Sequence, residues 1–234
     1  WSRDGTRLVG HRQSHFTPDE SRIRESTIVI YPAGGGYEQA LTSPTTSLDY
    51  GTDWSADDQW VLATANPLTA GRSEIRLLPV AADPQADAQA PILTTSEEYN
   101  IWQARFSPNE RWVSVNAVNK VNKTLTSTIY LIPVSGGEWT QVTEGKYWDD
   151  EPRWSPDGRI LYFSSNRTGF PNVWGIHFNS PIGKPVGEPF RVTTFEGPVH
   201  MRYPGYVAFA IGANRLLVNL VESSGNIWIL ENVD

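Results

Sequence analysis

The chain has 234 residues, 39% of them hydrophobic and 12% aromatic, and a formal net charge of −7. That length supports a sizeable core, and ten Trp, nine Tyr and eight Phe against a single Met favour strand packing over helix bundles. The acidic balance, with scattered Lys and Arg, argues against a nucleic-acid surface. The lack of cysteine removes thiolate metal sites, cysteine nucleophiles and disulfides, and no apolar run reaches the ~18 residues of a membrane-spanning helix.

The chain opens on WSRDGTRLVG, an aromatic-Ser pair followed by a polar turn and an alternating apolar run, and a near copy, WSPDGRILYF, stands at 154–163. Such units begin at Trp1, Trp54, Phe106, Trp154 and Phe209, about 50 residues apart, and in each the seventh residue on is aliphatic: Leu8, Val61, Val113, Leu161 and Leu216. A second alternating run follows, TIVIYP at 27–32, EIRLLPV at 74–80, TIYLIPV at 128–134, NVWGIHF at 172–178 and NIWILEN at 226–232. Short runs closing on Thr, at 40–42, 92–94, 141–143 and 191–193, supply a third strand. The stretch leading into the aromatic, as in LDYGTDW at 48–54, YNIWQARF at 99–106 and YWDDEPRW at 147–154, supplies the fourth and innermost.

Four short antiparallel strands per unit predict an all-β fold, a β-propeller of four-stranded blades, because a radial array buries both faces of each small sheet. A β-sandwich with chance similarity among its strands is the competing fold. The repeat units run 1–52, 53–104, 105–152, 153–207 and 208–234 in a single propeller domain. About five blades are expected in this chain, the end blades being incomplete, as in the C-terminal portion of a longer propeller. In the turns, SPDG and SRDG carry the Asp-Gly pair that tolerates left-handed backbone, whereas units two and three carry SADD and SPNE, so Gly is not required throughout. The aromatic before each turn is read as a packing residue between blades.

The segment WSPDGRILYFSSNRTGFPNVWGI at 154–176 resembles the repeat of TolB-type, WD40-like propellers, and the similarity extends over the whole chain, weakest in unit five. GKPVGEPFRVTTFEGP followed by SGNIWILENVD resembles the propeller ends of bacterial TolB-type multidomain envelope proteins and serine/threonine kinases. Nucleophile elbows, P-loops, HExxH and dinucleotide fingerprints are absent from the sequence, and so are the Asp boxes of propeller glycosidases. No catalytic residue, cofactor or metal is therefore assigned.

His11 and His15 share the loop-like stretch GHRQSHF and are read as surface polar residues; His177 is read as outward-facing, and His200 as able to look into the channel. The acidic run at 149–151 is read as solvated loop charge. Strand alternation lets at most one of Asp149 and Asp150 line the channel. Aromatic residues recur at the blade entrances, at Tyr50, Tyr99, Trp102, Tyr147, Trp148, Tyr203 and Tyr206. With Asp150, His200 and Arg202, residues Tyr50, Tyr99, Trp102, Tyr147 and Trp148 form the candidate partner-binding face, since aromatic anchors bury much area at little entropy cost. Inter-blade packing is the alternative for any one of them.

The resemblance implies a non-catalytic protein-interaction or scaffold propeller of a bacterial envelope protein, periplasmic or otherwise extracytoplasmic, in one form an extrinsic subunit of a larger membrane complex. The alternative is the sensor or gating propeller of a multidomain enzyme, a serine/threonine kinase or prolyl-oligopeptidase-like peptidase, whose catalytic domain is not in this chain.

Overall fold

The computed structural model describes residues 1–16, 23–44, 47–67, 71–81, 90–121, 126–197, 199–201, 209–212 and 214–222, and every regular element among them is a strand. The first sheet has three strands, β1 (Arg7–Phe16), β2 (Ile23–Pro32) and β3 (Gln39–Ala40). Three four-stranded antiparallel meanders follow. One holds β4 (Ser47–Trp54), β5 (Trp60–Pro67), β6 (Ser73–Pro79) and β7 (Ile92–Ser96); the next holds β8 (Tyr99–Phe106), β9 (Trp112–Asn119), β10 (Thr128–Pro133) and β11 (Thr140–Gln141). The last holds β12 (Asp149–Trp154), β13 (Ile160–Ser165), β14 (Asn172–Asn179) and β15 (Lys184–Arg191). Beyond them β16 (Val199–Met201) pairs with β19 (Leu220–Glu222), and β17 (Phe209–Ile211) with β18 (Leu216–Val218).

Strand alternation turns successive side chains to opposite faces, and both faces of the central sheets are buried. On β5, Val61 packs with Ile28 and Trp54 between the first two sheets, while its neighbour Leu62 packs with Ile101 and Val115 between the second and third. Ile129 and Leu131 then meet Leu161 and Phe163, and Val173 meets Met201 and Phe209. The core is a series of inter-sheet layers, which is the propeller arrangement.

The repeat motifs have separate jobs. The aromatic ending each innermost strand pairs with the aliphatic residue seven positions on, Trp54 with Val61, Phe106 with Val113 and Trp154 with Leu161. The expectation of five equivalent aromatics fails at the end. Phe209 faces Val218, with Leu216 opposite Ile211, so its hairpin is shifted by two residues; Trp1 heads a matching turn but is 69% exposed, no sheet covering it among the described residues. The Ser of the motif closes its turn: Ser2, Ser55 and Ser155 donate to Asp4, Asp57 and Asp157 at 2.6 Å, and their hydroxyls accept the amides of Arg7, Trp60 and Ile160. The closing Thr likewise fastens a strand, since Thr42, Thr143 and Thr193 accept the amides of Ile28, Ile129 and Val173.

Where units two and three lack the turn glycine, Asp58 and Glu110 adopt φ of 57° and 53°. Left-handed backbone strains a non-glycine residue by roughly 1–2 kcal/mol. Here it aims a carboxylate at the preceding blade: Asp58 accepts the amides of Arg3 and Asp4 at 2.7 and 3.0 Å, and Glu110 accepts that of Ala56. Charge-assisted bonds offset the strain.

Two readings require correction. His11 lies within strand β1 and not in a loop, its side chain exposed as expected. The run at 149–151 is not solvated: Asp149, Asp150 and Glu151 are 0%, 4% and 2% exposed, because this stretch starts the innermost strand of a blade covered on both sides. The strand-like run at 226–232 lies outside the described residues, as do Arg202, Tyr203 and Tyr206.

Candidate functional site

The innermost strands β4, β8 and β12 are each interrupted by a bulge, and pairing resumes at the same position in all three, at Asp53, Arg105 and Arg153, one residue before the aromatic. Trp102 and Asp150 are the last residues paired before a bulge, opposite Asn116 and Ser164, and the next residues, Gln103 and Glu151, have φ of 54° and 53°. In β4 the break comes one residue later, between Gly51 and Asp53. A bulge sets two residues against one and re-aims the side chains around it. Gly51 is required by close approach, for a Cβ there would run into the Val9 and Ile28 methyls of the neighbouring sheet.

These bulges surround a cavity of about 660 Å³. Its aromatic lining is Tyr50, Trp102, Trp148 and His11, and its charged lining is Arg105, Arg153, Asp150 and Glu151. Tyr50 meets His11 edge-on with ring centroids 4.4 Å apart and Trp102 with centroids 5.6 Å apart. Trp148 Nε1 donates to Asp150 Oδ2 at 3.3 Å, and the Glu151 amide donates to both Asp150 Oδ1 and Gln103 Oε1. Two asparagines stitch neighbouring blades behind this wall: Asn66 exchanges a pair of hydrogen bonds with the Ile101 backbone, and Asn116 donates to the Asp149 carbonyl.

Burial dominates the electrostatics. It lowers the His11 pKa and favours the neutral imidazole. It also lowers Arg105, against the opposing pull of Asp53 and Glu151. Arg153 is pulled down to about 9 by burial and the nearby Arg105 charge, with Glu151, Asp53 and Asp150 acting the other way. Arg153 pairs loosely with Glu151 at 3.7 Å. The two oxygens of Asp53 accept the amides of Trp54 and Phe106 at 2.9 Å, and among the described residues no carboxylate lies within ion-pair distance of Arg105.

Of the residues expected at the partner face, Tyr50, Trp102, Trp148 and Asp150 come together in this cavity. Tyr99 is elsewhere, packed on Tyr130 and Trp139 with centroids 5.7 and 6.3 Å away, and its hydroxyl pKa is raised by the bond to Tyr130 and by burial. Tyr147 is 37% exposed and lies beneath the Arg167 guanidinium. His200 lies on β16, its side chain outside the described residues, and Arg202 is outside them altogether. Sequence reasoning missed His11, Gln103, Arg105, Glu151 and Arg153. One signal was present: the residue before the aromatic is charged in the three middle units, at Asp53, Arg105 and Arg153.

No protein-family model matches the chain. An uncharacterized protein of Agrobacterium fabrum is 29% identical over 119 residues, covering 51% of this chain and 37% of that protein. TolB of Acinetobacter baumannii superposes with a TM-score of 0.63 at 17% identity, covering 93% of this chain and 50% of TolB. The chain has the TolB-type propeller fold. A TolB-type structure from Agrobacterium tumefaciens, described as a putative TolB, gives a TM-score of 0.56 at 19% identity over 92% of this chain and 77% of its own. A puromycin-hydrolyzing peptidase of Mycobacterium tuberculosis gives 0.65 at 14% identity, with 90% of this chain but 35% of the peptidase covered. The chain thus spans half or less of the A. baumannii TolB and of the curated relative.

Proposed function

We propose that this chain is a non-catalytic interaction propeller of a bacterial envelope protein, holding a protein partner at the mouth of the aromatic-lined cavity. The observation that carries this reading is the convergence onto one cavity of Tyr50 from β4, Trp102 from β8 and Trp148 from the residue just before β12. Rigid sheets present such side chains in a fixed arrangement, so little order is lost on docking. The TolB-type fold supports a protein-binding role and an extracytoplasmic setting, with attachment to a larger membrane complex as its fullest form. Among the described residues no helix is long and apolar enough to cross a membrane. The test is affinity capture from an envelope fraction followed by cross-linking. A partner cross-linked beside Trp102 and Trp148 supports the proposal, and a footprint confined to the outer strands β7, β11 and β15 refutes this surface.

The peptidase likeness favours one second reading, a sensor or gating propeller for a catalytic domain outside this chain. The mass and domain content of the natural gene product decide between the two.

A further inference from the structure

The cavity contains a guanidinium, that of Arg105, that no ion pair among the described residues answers. The Arg105 side chain makes no ion pair among the described residues, and its hydrogen bond there, from Nη1 to the Ala104 carbonyl, is long at 3.5 Å. The neighbouring acids are engaged elsewhere. Asp53 accepts two backbone amides, Glu151 faces Arg153, and Asp150 accepts from Trp148 and from the Glu151 amide. Among the described residues Arg105 therefore keeps most of its five N–H donors for whatever enters the cavity. A half-buried guanidinium held by one long hydrogen bond is costly to maintain, which makes it a signature of a ligand site more than of packing.

Beside this charge stands an apolar wall, the rings of Trp102 and Tyr50, with His11 backing Tyr50. The volume of about 660 Å³ suits a small molecule. We propose that the cavity binds a small organic monocarboxylate, its carboxylate held by the Arg105 fork and its ring or apolar body laid against Trp102 and Tyr50. A planar carboxylate fits a guanidinium through two parallel hydrogen bonds. A dianion such as phosphate suits the site less well, since the acids Asp53, Asp150 and Glu151 surround Arg105 and Arg153. Carboxylate binding does not rest on the protein-partner reading, though Tyr50 and Trp102 serve both, and calorimetry without a partner tests it separately.

The test is isothermal titration calorimetry of the 234-residue chain with phenylacetate, phenylacetamide, acetate and inorganic phosphate. Phenylacetate is expected to saturate one site, with phenylacetamide and acetate each at least about tenfold weaker, because each lacks one half of the recognition. Arg105→Met is expected to abolish phenylacetate binding without lowering the melting temperature, since it removes an unpaired charge and keeps the bulk. Should that variant fail to fold, Arg105→Lys retains the charge, loses the fork and is expected to weaken phenylacetate about tenfold. The proposal is overturned if phenylacetate does not bind, if phenylacetamide or phosphate binds as tightly, or if the folded Arg105 variant retains full affinity.

Discussion

Arg167 Nη2 lies 3.0 Å from Asp149 Oδ1, and the same guanidinium sits over the rings of Trp174, Phe163 and Tyr147, 4.8, 5.2 and 5.3 Å from their centroids. Asp149 is fully buried, its second oxygen has no hydrogen-bond partner among the described residues, and its backbone carbonyl receives Asn116 and Ser127. One ion pair thus anchors the start of β12, from which Asp150 and Glu151 reach the cavity.

Removing the cation alone should therefore be expensive. Arg167→Ala leaves a buried carboxylate uncompensated, and a loss of about 3–5 kcal/mol in urea unfolding is expected. The double variant with Asp149→Ala should recover part of that loss. A single-variant loss under about 1 kcal/mol would instead describe a solvent-screened pair.

The turn residue Asp58 combines a strained backbone with two amide bonds to the preceding blade. Asp58→Ala keeps the strain and loses the bonds, and about 1–3 kcal/mol is expected. Asp58→Gly loses the same bonds but relieves the strain, so it should melt above the alanine variant. The reverse order in thermal unfolding would show that the αL strain is not what the carboxylate offsets.

The propeller was legible because its repeat is written in local chemistry: the aromatic opposite its aliphatic partner, the Ser-Asp turn and the closing Thr all act within one blade. The cavity was half legible. Tyr50, Trp102 and Trp148 stood out by recurrence, but strict alternation separates Asp150 from Glu151, and only the bulge, with Glu151 in left-handed backbone, brings both to the cavity. The burial of the run at 149–151 and the separate packing of Tyr99 depend on neighbouring blades, which a single strand's pattern does not reveal. The shifted register at Phe209 was hidden by an aliphatic residue, Leu216, at the expected spacing.

Acid should loosen the turns. Asp4 is held at about 2, first by the Ser2 hydroxyl and then by the Thr6 amide and hydroxyl, and Asp57 and Asp157 are lowered first by Ser55 and Ser155. A depressed folded-state pKa means that the unfolded chain binds more protons, so this contribution is complete above the ordinary carboxylate value and lost as pH falls from about 4 towards 2. Urea unfolding between pH 6 and 2, as approximate limits, should show stability falling in that window. The triple variant Ser2→Ala, Ser55→Ala, Ser155→Ala should be less stable at neutral pH and lose less on acidification. An equal pH slope in both proteins would place the acid sensitivity in other groups.

The partner surface separates by residue. Trp102 and Trp148 line the cavity, so Trp102→Ala or Trp148→Ala should weaken capture of the cross-linked partner by about 2 kcal/mol if either is a central anchor. Tyr99, stacked with Tyr130 and Trp139 away from the cavity, should behave oppositely: Tyr99→Ala lowers the melting temperature and leaves affinity intact. Binding measured at equal folded fraction distinguishes the two effects. Unchanged affinity in well-folded Trp102 and Trp148 variants, or a loss centred on Tyr99, would move the contact surface from the cavity mouth to the flank of the third blade, where the same aromatic chemistry is presented by β8 and β10.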